Sequence, residues 1–343
     1  MTNDIATLEV LVLFIIFSVV AFCRLRLSRV CAYDPSLFQP LPENVNSAAE
    51  AERFLRDRDL AAAAPLRPSC HSEVQWHGKA RKATDLVVLH LHGWSASPLE
   101  IDPVDSRLAS ELKANLIRFR LSGHGVASSD GREMVRDATQ RGLLRDAAEA
   151  FALSRLLGKR VVLIASSTGA TLSLWIASRP WVGDDIAGVI ALSPALRLRS
   201  LLYPPLKWLI TLAPAAVSMR AIGLLLGCVR RLDAKRQPAK VDVEEWRRLW
   251  TTVYPAAALH GLVELYAHVE LTVSPSQILA PLLALANPHD PLVDFEATKK
   301  FFGEARTVVL TPPSDEHQHS ITGRVMAPST VDTVIENAVK HLA

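Results

Sequence analysis

Ser167 is the residue whose surroundings first suggest covalent chemistry. It follows a run of apolar or β-branched residues at positions 161–165, and a helical pattern begins directly after it at Thr168. A serine hydroxyl is a weak nucleophile at neutral pH, so a protein that uses one must expose its oxygen and supply a base to take its proton. A tight turn from a buried strand into a helix exposes the oxygen in this way. The pattern therefore predicts a nucleophilic serine at a strand-to-helix turn.

The residues around this serine have the sizes that such a turn requires. The backbone is strained and neighbouring strands lie close, so the positions two before and two after the nucleophile must be small. They are Ala165 and Gly169, and the alanine departs from the commonest glycine. A register with Ser166 as nucleophile would put Ile164 and Thr168 at these positions, which disfavours it. The alternative is a buried strand that ends in an ordinary serine or threonine helix cap.

Predicted strands and helices alternate along the chain. Strands that alternate with helices of ten or more residues indicate a parallel sheet covered on both faces, so the predicted fold class is α/β. The strands are predicted at residues 85–91, 115–119, 160–165, 186–192, 280–286 and 306–310, with a further strand pair around residues 74–76 and the turn at 79–82; the helices are predicted at 97–114, 138–157 and 168–178.

Composition excludes several classes of function. The chain has 343 residues, of which 49% are apolar, so it can bury one sizeable core. A net charge of +3, without a long basic run, argues against a nucleic-acid partner. The cysteines are scattered and form no metal-binding pair, so neither a metal site, a disulfide framework nor a cofactor is expected; they are Cys23, Cys31, Cys70 and Cys228.

The amino-terminal segment predicts a membrane anchor. Residues 5–23 are almost entirely apolar, and as a helix they would span roughly 28 Å, close to the hydrocarbon thickness of a bilayer. By the positive-inside rule, the catalytic domain would face the cytoplasm, because three basic residues follow the apolar run: Arg24, Arg26 and Arg29. The alternatives are a signal-peptide core at residues 10–23 and an amphipathic or buried helix.

Four segments together resemble a known family. They are Leu91-His92-Gly93-Trp94, residues 120–125, the turn at Ser167, and the two loops that follow strands 280–286 and 306–310. In this order, across residues 74–341, they resemble the α/β-hydrolase fold, in particular esterases and monoacylglycerol-lipase-like proteins. The resemblance implies a mostly parallel sheet with helices on both faces, a helical cap insertion and a small-molecule ester substrate.

The resemblance also implies a catalytic triad. Ser167 would be the nucleophile, Asp290 the acid on the loop after strand 280–286, and His319 the base on the loop after the last strand. Asp294 is the alternative acid, and His317 is the alternative histidine.

Two backbone groups match the oxyanion hole of the family. The N–H of Trp94, in the loop after the strand at 85–91, and the N–H of Thr168 would bind the substrate oxygen. The resemblance gives His92 and His124 structural rather than catalytic roles.

Residues 197–274 form an insertion that a parallel sheet does not require. Its first part, residues 201–226, is rich in Leu, Ile, Ala and Pro. An apolar helical cap over Ser167 would create a dry pocket for an acyl chain or another apolar part of a substrate. Alternatively, these side chains only pack cap helices together, or residues 201–226 contact a membrane surface, since Lys207, Arg220 and several prolines disfavour a spanning helix.

These observations lead to one main hypothesis. The chain is predicted to be a serine hydrolase that cleaves carboxylic esters through an acyl-enzyme. The predicted cap and anchor suggest that these esters are lipid-derived. The alternative is a non-catalytic relative that binds a ligand or partner under the cap. The predicted organisation is a membrane anchor at 1–33, a linker at 34–72, a hydrolase core at 73–196 and 275–343, and a cap at 197–274.

Overall fold

The computed structural model describes residues 18, 21, 22, 40–62 and 64–343. In this part of the chain, a seven-stranded sheet has the order β1-β3-β2-β4-β5-β8-β9. Strand β1 is antiparallel to β3 and the other pairs are parallel. The strands are β1 Glu73–Gln75, β2 Thr84–Leu91, β3 Asn115–Phe119, β4 Gly158–Ser166, β5 Ile186–Leu192, β6 Val229–Arg231, β7 Val253–Pro255, β8 Leu282–Ala286 and β9 Thr307–Val309, of which β6 and β7 form a separate antiparallel pair.

Helices cover both faces of the sheet. Alternate residues of a strand face opposite sides, and in β2 this places Val87 and Leu89 in one apolar core and Val88 in another. The first core includes residues of α1, α4 and α5, and the second includes residues of α2 and α11. The helices are α1 Ala48–Leu60, α2 Val104–Glu111, α3 Arg132–Arg136, α4 Gln140–Leu157, α5 Thr168–Ala177, α6 Tyr203–Leu212, α7 Ala215–Leu226, α8 Val243–Leu249, α9 Leu259–Thr272, α10 Phe295–Phe302 and α11 Val331–Leu342.

The predicted α/β class, a mostly parallel sheet with helices on both faces, is confirmed, with two local corrections. The helix predicted at residues 97–114 begins only at Val104, because Pro98 and Pro103 disfavour a continuous helix across this segment. The strand pair predicted around residues 74–82 does not form, since β1 pairs with β3 instead.

The insertion, residues 197–274, contributes α6, α7, α8, α9, β6 and β7 between β5 and β8. Its helices α6, α7 and α9 contribute buried residues to the first core, including Ile210, Ile222 and Leu265. Pro214 separates α6 from α7, so residues 201–226 form two short helices rather than one long one.

The predicted membrane-anchored localisation is contradicted by the helices of the described part of the chain. A spanning helix needs about 20 predominantly apolar residues. The longest described helix, α4, has 18 residues and includes Asp146 and Glu149, whereas the more apolar α6 and α7 have 10 and 12. Among the described residues, no helix is both long and apolar enough to cross a membrane. The segment 5–23, on which the prediction was based, lies almost wholly outside the described residues.

Helix α1, within the predicted linker, is packed onto the domain. Its Asp59 accepts a hydrogen bond from Arg120 Nε at 2.8 Å and another from the backbone N–H of Ser72. Both charged partners of the ion pair are buried. Removing one member of a buried ion pair leaves the other charge uncompensated, which costs far more than losing an exposed pair.

We expect Asp59→Ala to lower the free energy of unfolding by about 3–5 kcal/mol, because Arg120 would remain buried without its counter-charge. Urea unfolding followed by circular dichroism measures this. Asp57→Ala, an exposed change on the same helix, is the control and should have an effect within about 0.5 kcal/mol. Equal effects of the two changes would contradict the structural role of the pair.

Candidate active site

Ser167 lies at a strained turn between β4 and α5. Its φ is 49° and its ψ is −113°, and a positive φ is unusual for a residue with a side chain. The turn is held from the neighbouring strand, because the Ser167 N–H donates to the carbonyl of Leu192 at 2.8 Å. The serine therefore lies between the carboxyl end of β4 and the amino end of α5, where the sequence predicts it.

The two small residues of the predicted motif are buried by close packing. A Cβ added at Gly169 would lie 2.0 Å from the carbonyl oxygen of Leu91, so a larger residue cannot occupy this position without displacing backbone. Ala165 is fully buried and pairs with Leu91 on one side and Ala191 on the other. The sheet therefore accommodates the alanine methyl where the commonest form of the motif has glycine.

Three side chains that are distant in sequence form one hydrogen-bonded line. The Nε2 atom of His319 lies 3.0 Å from Ser167 Oγ, and its Nδ1 lies 2.7 Å from Asp290 Oδ2. The carboxylate is fixed in turn, because its Oδ1 accepts the backbone N–H groups of Leu292 and Val293. The structure thus brings together the serine, histidine and aspartate named from the sequence.

The two alternative residues have other positions. Asp294 caps the amino terminus of α10, where its carboxylate accepts the N–H groups of Glu296 and Ala297. His317 holds the loop that carries His319, because its Nδ1 accepts the backbone N–H of His319 at 3.3 Å and of Ser320 at 2.9 Å. Burial lowers the pKa of His317 to about 4, and the neighbouring His319 adds to the lowering.

The loop after β2 brings Gly93 against the nucleophile. A Cβ added at Gly93 would lie 3.2 Å from Ser167 Cβ, so the loop backbone passes beside the turn. His92 supports the loop: its Nε2 accepts the N–H of Leu121, and its Nδ1 donates to the Gly93 carbonyl. The buried ring of His124 packs edge-on against the Trp94 ring, with 5.2 Å between the ring centroids. These contacts give both histidines structural positions.

Sequence reasoning misses Glu100, which contacts three parts of the site. This buried carboxylate accepts the Gly93 N–H at 2.6 Å and the Ser166 hydroxyl at 3.2 Å, and it also interacts with the side chain of Ser320. Burial raises its pKa, an effect that the Gly93 N–H and His319 oppose. No motif marks this glutamate, because its partners are a backbone group and two serines distant in sequence.

Fold and geometry together define an α/β protein with a serine, histidine and aspartate aligned at the carboxyl ends of parallel strands. The alpha/beta hydrolase family matches residues 87–324, which is more than half of the sequence. The chain belongs to the alpha/beta hydrolase family, as the resemblance implies.

Several solved structures are similar to this chain. A chain from a study of LipS and LipT, two metagenome-derived lipolytic enzymes, has a TM-score of 0.59 at 17% identity, over 81% of this chain and 98% of that one. Est1E from Butyrivibrio proteoclasticus with bound ferulic acid has a TM-score of 0.49 at 17% identity, over 79% and 92%. A soluble variant of Saccharomyces cerevisiae monoglyceride lipase with a substrate analogue has a TM-score of 0.48 at 13% identity, over 82% of this chain and 96% of that one. No curated protein matches the chain in sequence.

The partly buried His317 gives a testable dependence of stability on pH. Its folded-state pKa of about 4 lies below the ordinary 6.5, so the unfolded chain takes up a proton that the folded chain does not as pH falls through this window. Stability linked to His317 is therefore complete above about pH 6.5 and declines towards pH 4. Between pH 7.5 and 5, we expect the free energy of unfolding of the wild type to fall by about 2 kcal/mol more than that of His317→Asn. The reason is that the asparagine oxygen can accept hydrogen bonds from the same N–H groups without titrating.

Urea unfolding of both proteins at the two pH values measures this difference. His77→Asn, a change at an exposed histidine, is the control and should leave the pH dependence as in the wild type. Identical pH slopes for the wild type and His317→Asn would show that the imidazole of His317 does not carry the effect.

Proposed function

We propose that this protein is a serine hydrolase that cleaves carboxylic esters through an acyl-enzyme. The observation that carries the proposal is the alignment of Ser167, His319 and Asp290, with 3.0 Å and 2.7 Å between successive partners. His319 Nε2 takes the serine proton as Oγ attacks the ester carbonyl, and Asp290 stabilises the imidazolium through Nδ1. The same imidazolium then gives its proton to the leaving alcohol, and water attacks the acyl-enzyme with His319 as base.

The proposed oxyanion hole consists of the Trp94 and Thr168 N–H groups. Thr168 is the first residue of α5, so its N–H has no acceptor within the helix and lies at the positive end of the helix dipole. Contact between the Gly93 loop and Ser167 supports a position for the Trp94 N–H beside the nucleophile. Each donor to a developing alkoxide contributes about 3 kcal/mol to transition-state stabilisation in such sites.

We further propose that the insertion is a cap and that the substrate has an apolar acyl group. Within the insertion lies an apolar cavity of about 210 Å³, lined by residues of α6, α7 and α9, including Leu206, Leu225 and Leu262. This volume exceeds the roughly 150 Å³ cavity that holds a benzene molecule in another protein. Helix α9 also carries Tyr266, which contacts Thr168 beside the nucleophile, so one helix connects the cavity wall with the candidate site.

A fluorophosphonate probe tests the reactive serine. We expect the wild type to be labelled and to hydrolyse p-nitrophenyl esters, and Ser167→Ala to lose labelling and at least about 10³-fold in kcat, because the attacking oxygen is absent. Ser166→Ala, at the neighbouring serine of the same turn, is the control and should still be labelled. Labelling of Ser167→Ala as strong as that of the wild type would refute the assignment.

A series of p-nitrophenyl esters from acetate to palmitate tests the acyl group. We expect the wild type to prefer medium or long chains and Leu262→Trp, which fills the cavity, to lose about tenfold in kcat/KM for these chains, as expected for a few lost methylene contacts. Acetate hydrolysis should stay within about twofold of the wild type in this variant.

Leu271→Trp is the matched control, because Leu271 is on the same helix but is exposed. It should leave the whole chain-length profile unchanged. Equal rates of the wild type from acetate to palmitate would remove the argument for an acyl pocket.

A further inference from the structure

Tyr266 brings a hydroxyl from the insertion to the candidate nucleophile. It lies on α9 and is only 2% exposed, and its hydroxyl shares a hydrogen bond of 2.7 Å with Thr168 Oγ1. The Ser167 side chain also interacts with this hydroxyl and opposes the rise of its pKa. Of the two, Ser167 is the proposed nucleophile and Thr168 the proposed oxyanion donor.

The ring and the hydroxyl of this tyrosine have different surroundings. The ring belongs to the first apolar core, together with Leu262, Val263 and Val269 of the same helix, and a buried tyrosine generally needs a partner for its hydroxyl. This hydroxyl finds its partners at the first turn of α5, on which α9 packs. Core packing therefore fixes the ring, and the fixed ring directs the hydroxyl at Thr168, the residue next to the nucleophile.

We propose that Tyr266 is a catalytic residue. Its hydroxyl, which belongs to the insertion, would be a third hydrogen-bond donor to the oxyanion, beside the N–H groups of Trp94 and Thr168. This inference rests on the proposed ester hydrolysis and adds to it. When Ser167 Oγ bonds to the ester carbon, the carbonyl oxygen that becomes negative is only two bonds away from Oγ. A hydroxyl that hydrogen-bonds to Thr168 and interacts with the Ser167 side chain can therefore turn its proton to this oxygen with little movement.

A single proton is transferred in this step, from Ser167 to His319. The bond between Ser167 Oγ and the carbonyl carbon forms, the π electrons of the carbonyl move to its oxygen, and the serine proton goes to His319 Nε2. Tyr266 keeps its own proton and donates it in a hydrogen bond to the new oxyanion. The Thr168 hydroxyl can donate to the tyrosine oxygen, which leaves the tyrosine proton directed at the reacting atoms.

The environment of Tyr266 suits a neutral donor. Burial raises its pKa, although the Thr168 and Ser167 side chains oppose part of this rise. The hydroxyl therefore stays protonated throughout the neutral range and introduces no charge into the site. A preoriented neutral donor in a water-excluded site can stabilise the developing charge without having to reorient.

The experiment compares Tyr266→Phe, which keeps the buried ring, with the wild type on a p-nitrophenyl ester and with an alkyl trifluoromethyl ketone. The ketone forms a tetrahedral adduct with a nucleophilic serine and so presents an oxyanion. We expect kcat to fall about tenfold to a hundredfold, the inhibition constant of the ketone to rise by a similar factor, and KM to stay within about twofold. Thr168→Val, which keeps the backbone donor, should show a smaller loss of kcat.

Thr272→Val is the matched control, because it removes a hydroxyl of the same helix that, among the described residues, hydrogen-bonds to the backbone carbonyl of His268 and not to the candidate site. It should leave kcat and the inhibition constant within about twofold of the wild type. The midpoint of thermal unfolding, measured for each variant, separates loss of fold from loss of catalysis.

The role of Tyr266 is overturned, while the proposed function stands, if the wild type is active and Tyr266→Phe has an unchanged kcat or differs only in KM. A loss of kcat without weaker binding of the ketone also overturns it, because an oxyanion donor must act on both. A wild type that neither reacts with a fluorophosphonate nor hydrolyses esters overturns the proposed function itself.

Discussion

The strained backbone at Ser167 is the constraint on which the rest of the site depends. A positive φ at a residue with a side chain costs about 1–3 kcal/mol, so it persists only where the surrounding structure enforces it. Here the Ser167 N–H donates to the Leu192 carbonyl, and the Ser167 carbonyl accepts the N–H of Ala195. On the other side of the turn, Gly169 lies so close to the Leu91 carbonyl that no side chain fits between them. The sheet and α5 therefore force the serine into a conformation that an isolated peptide would rarely adopt.

Glu100 connects this strained turn to the loops beside it. The carboxylate accepts a hydrogen bond from Gly93 on one loop and from Ser166 in the turn, and it interacts with Ser320 next to the histidine. Because it is buried, its bonds are sheltered from competition with water, and any displacement of one loop leaves a polar group unsatisfied. The positions of the proposed oxyanion donor, nucleophile and base are thus coupled through one side chain.

The resemblance to the family names the triad because each of its members follows an apolar strand, at a place where the family carries these residue types. Glu100 and Tyr266 have no such pattern: the tyrosine and its partner Thr168 are 98 residues apart, and the glutamate and Ser166 are 66 apart. Only the packing of helices on the sheet brings these pairs together. The same reason explains why β1 pairs with β3, although β2 lies between them in the sequence. Strand propensity carries no information on which strands pair.

The insertion meets the candidate site at two places, and this limits how the two parts can move. At its beginning, Leu198 forms a β-bridge with Val293, and Arg199 donates to the carbonyl of Asp290. Further along the chain, Tyr266 meets the first turn of α5. Displacement at either place would disturb the acid or the nucleophile, because both contacts are to the loops that carry them. Helices α6 and α7 lie between these places, expose apolar residues such as Trp208 and Leu224 and make neither of these two contacts. A change in their position would therefore leave the acid and the nucleophile in place.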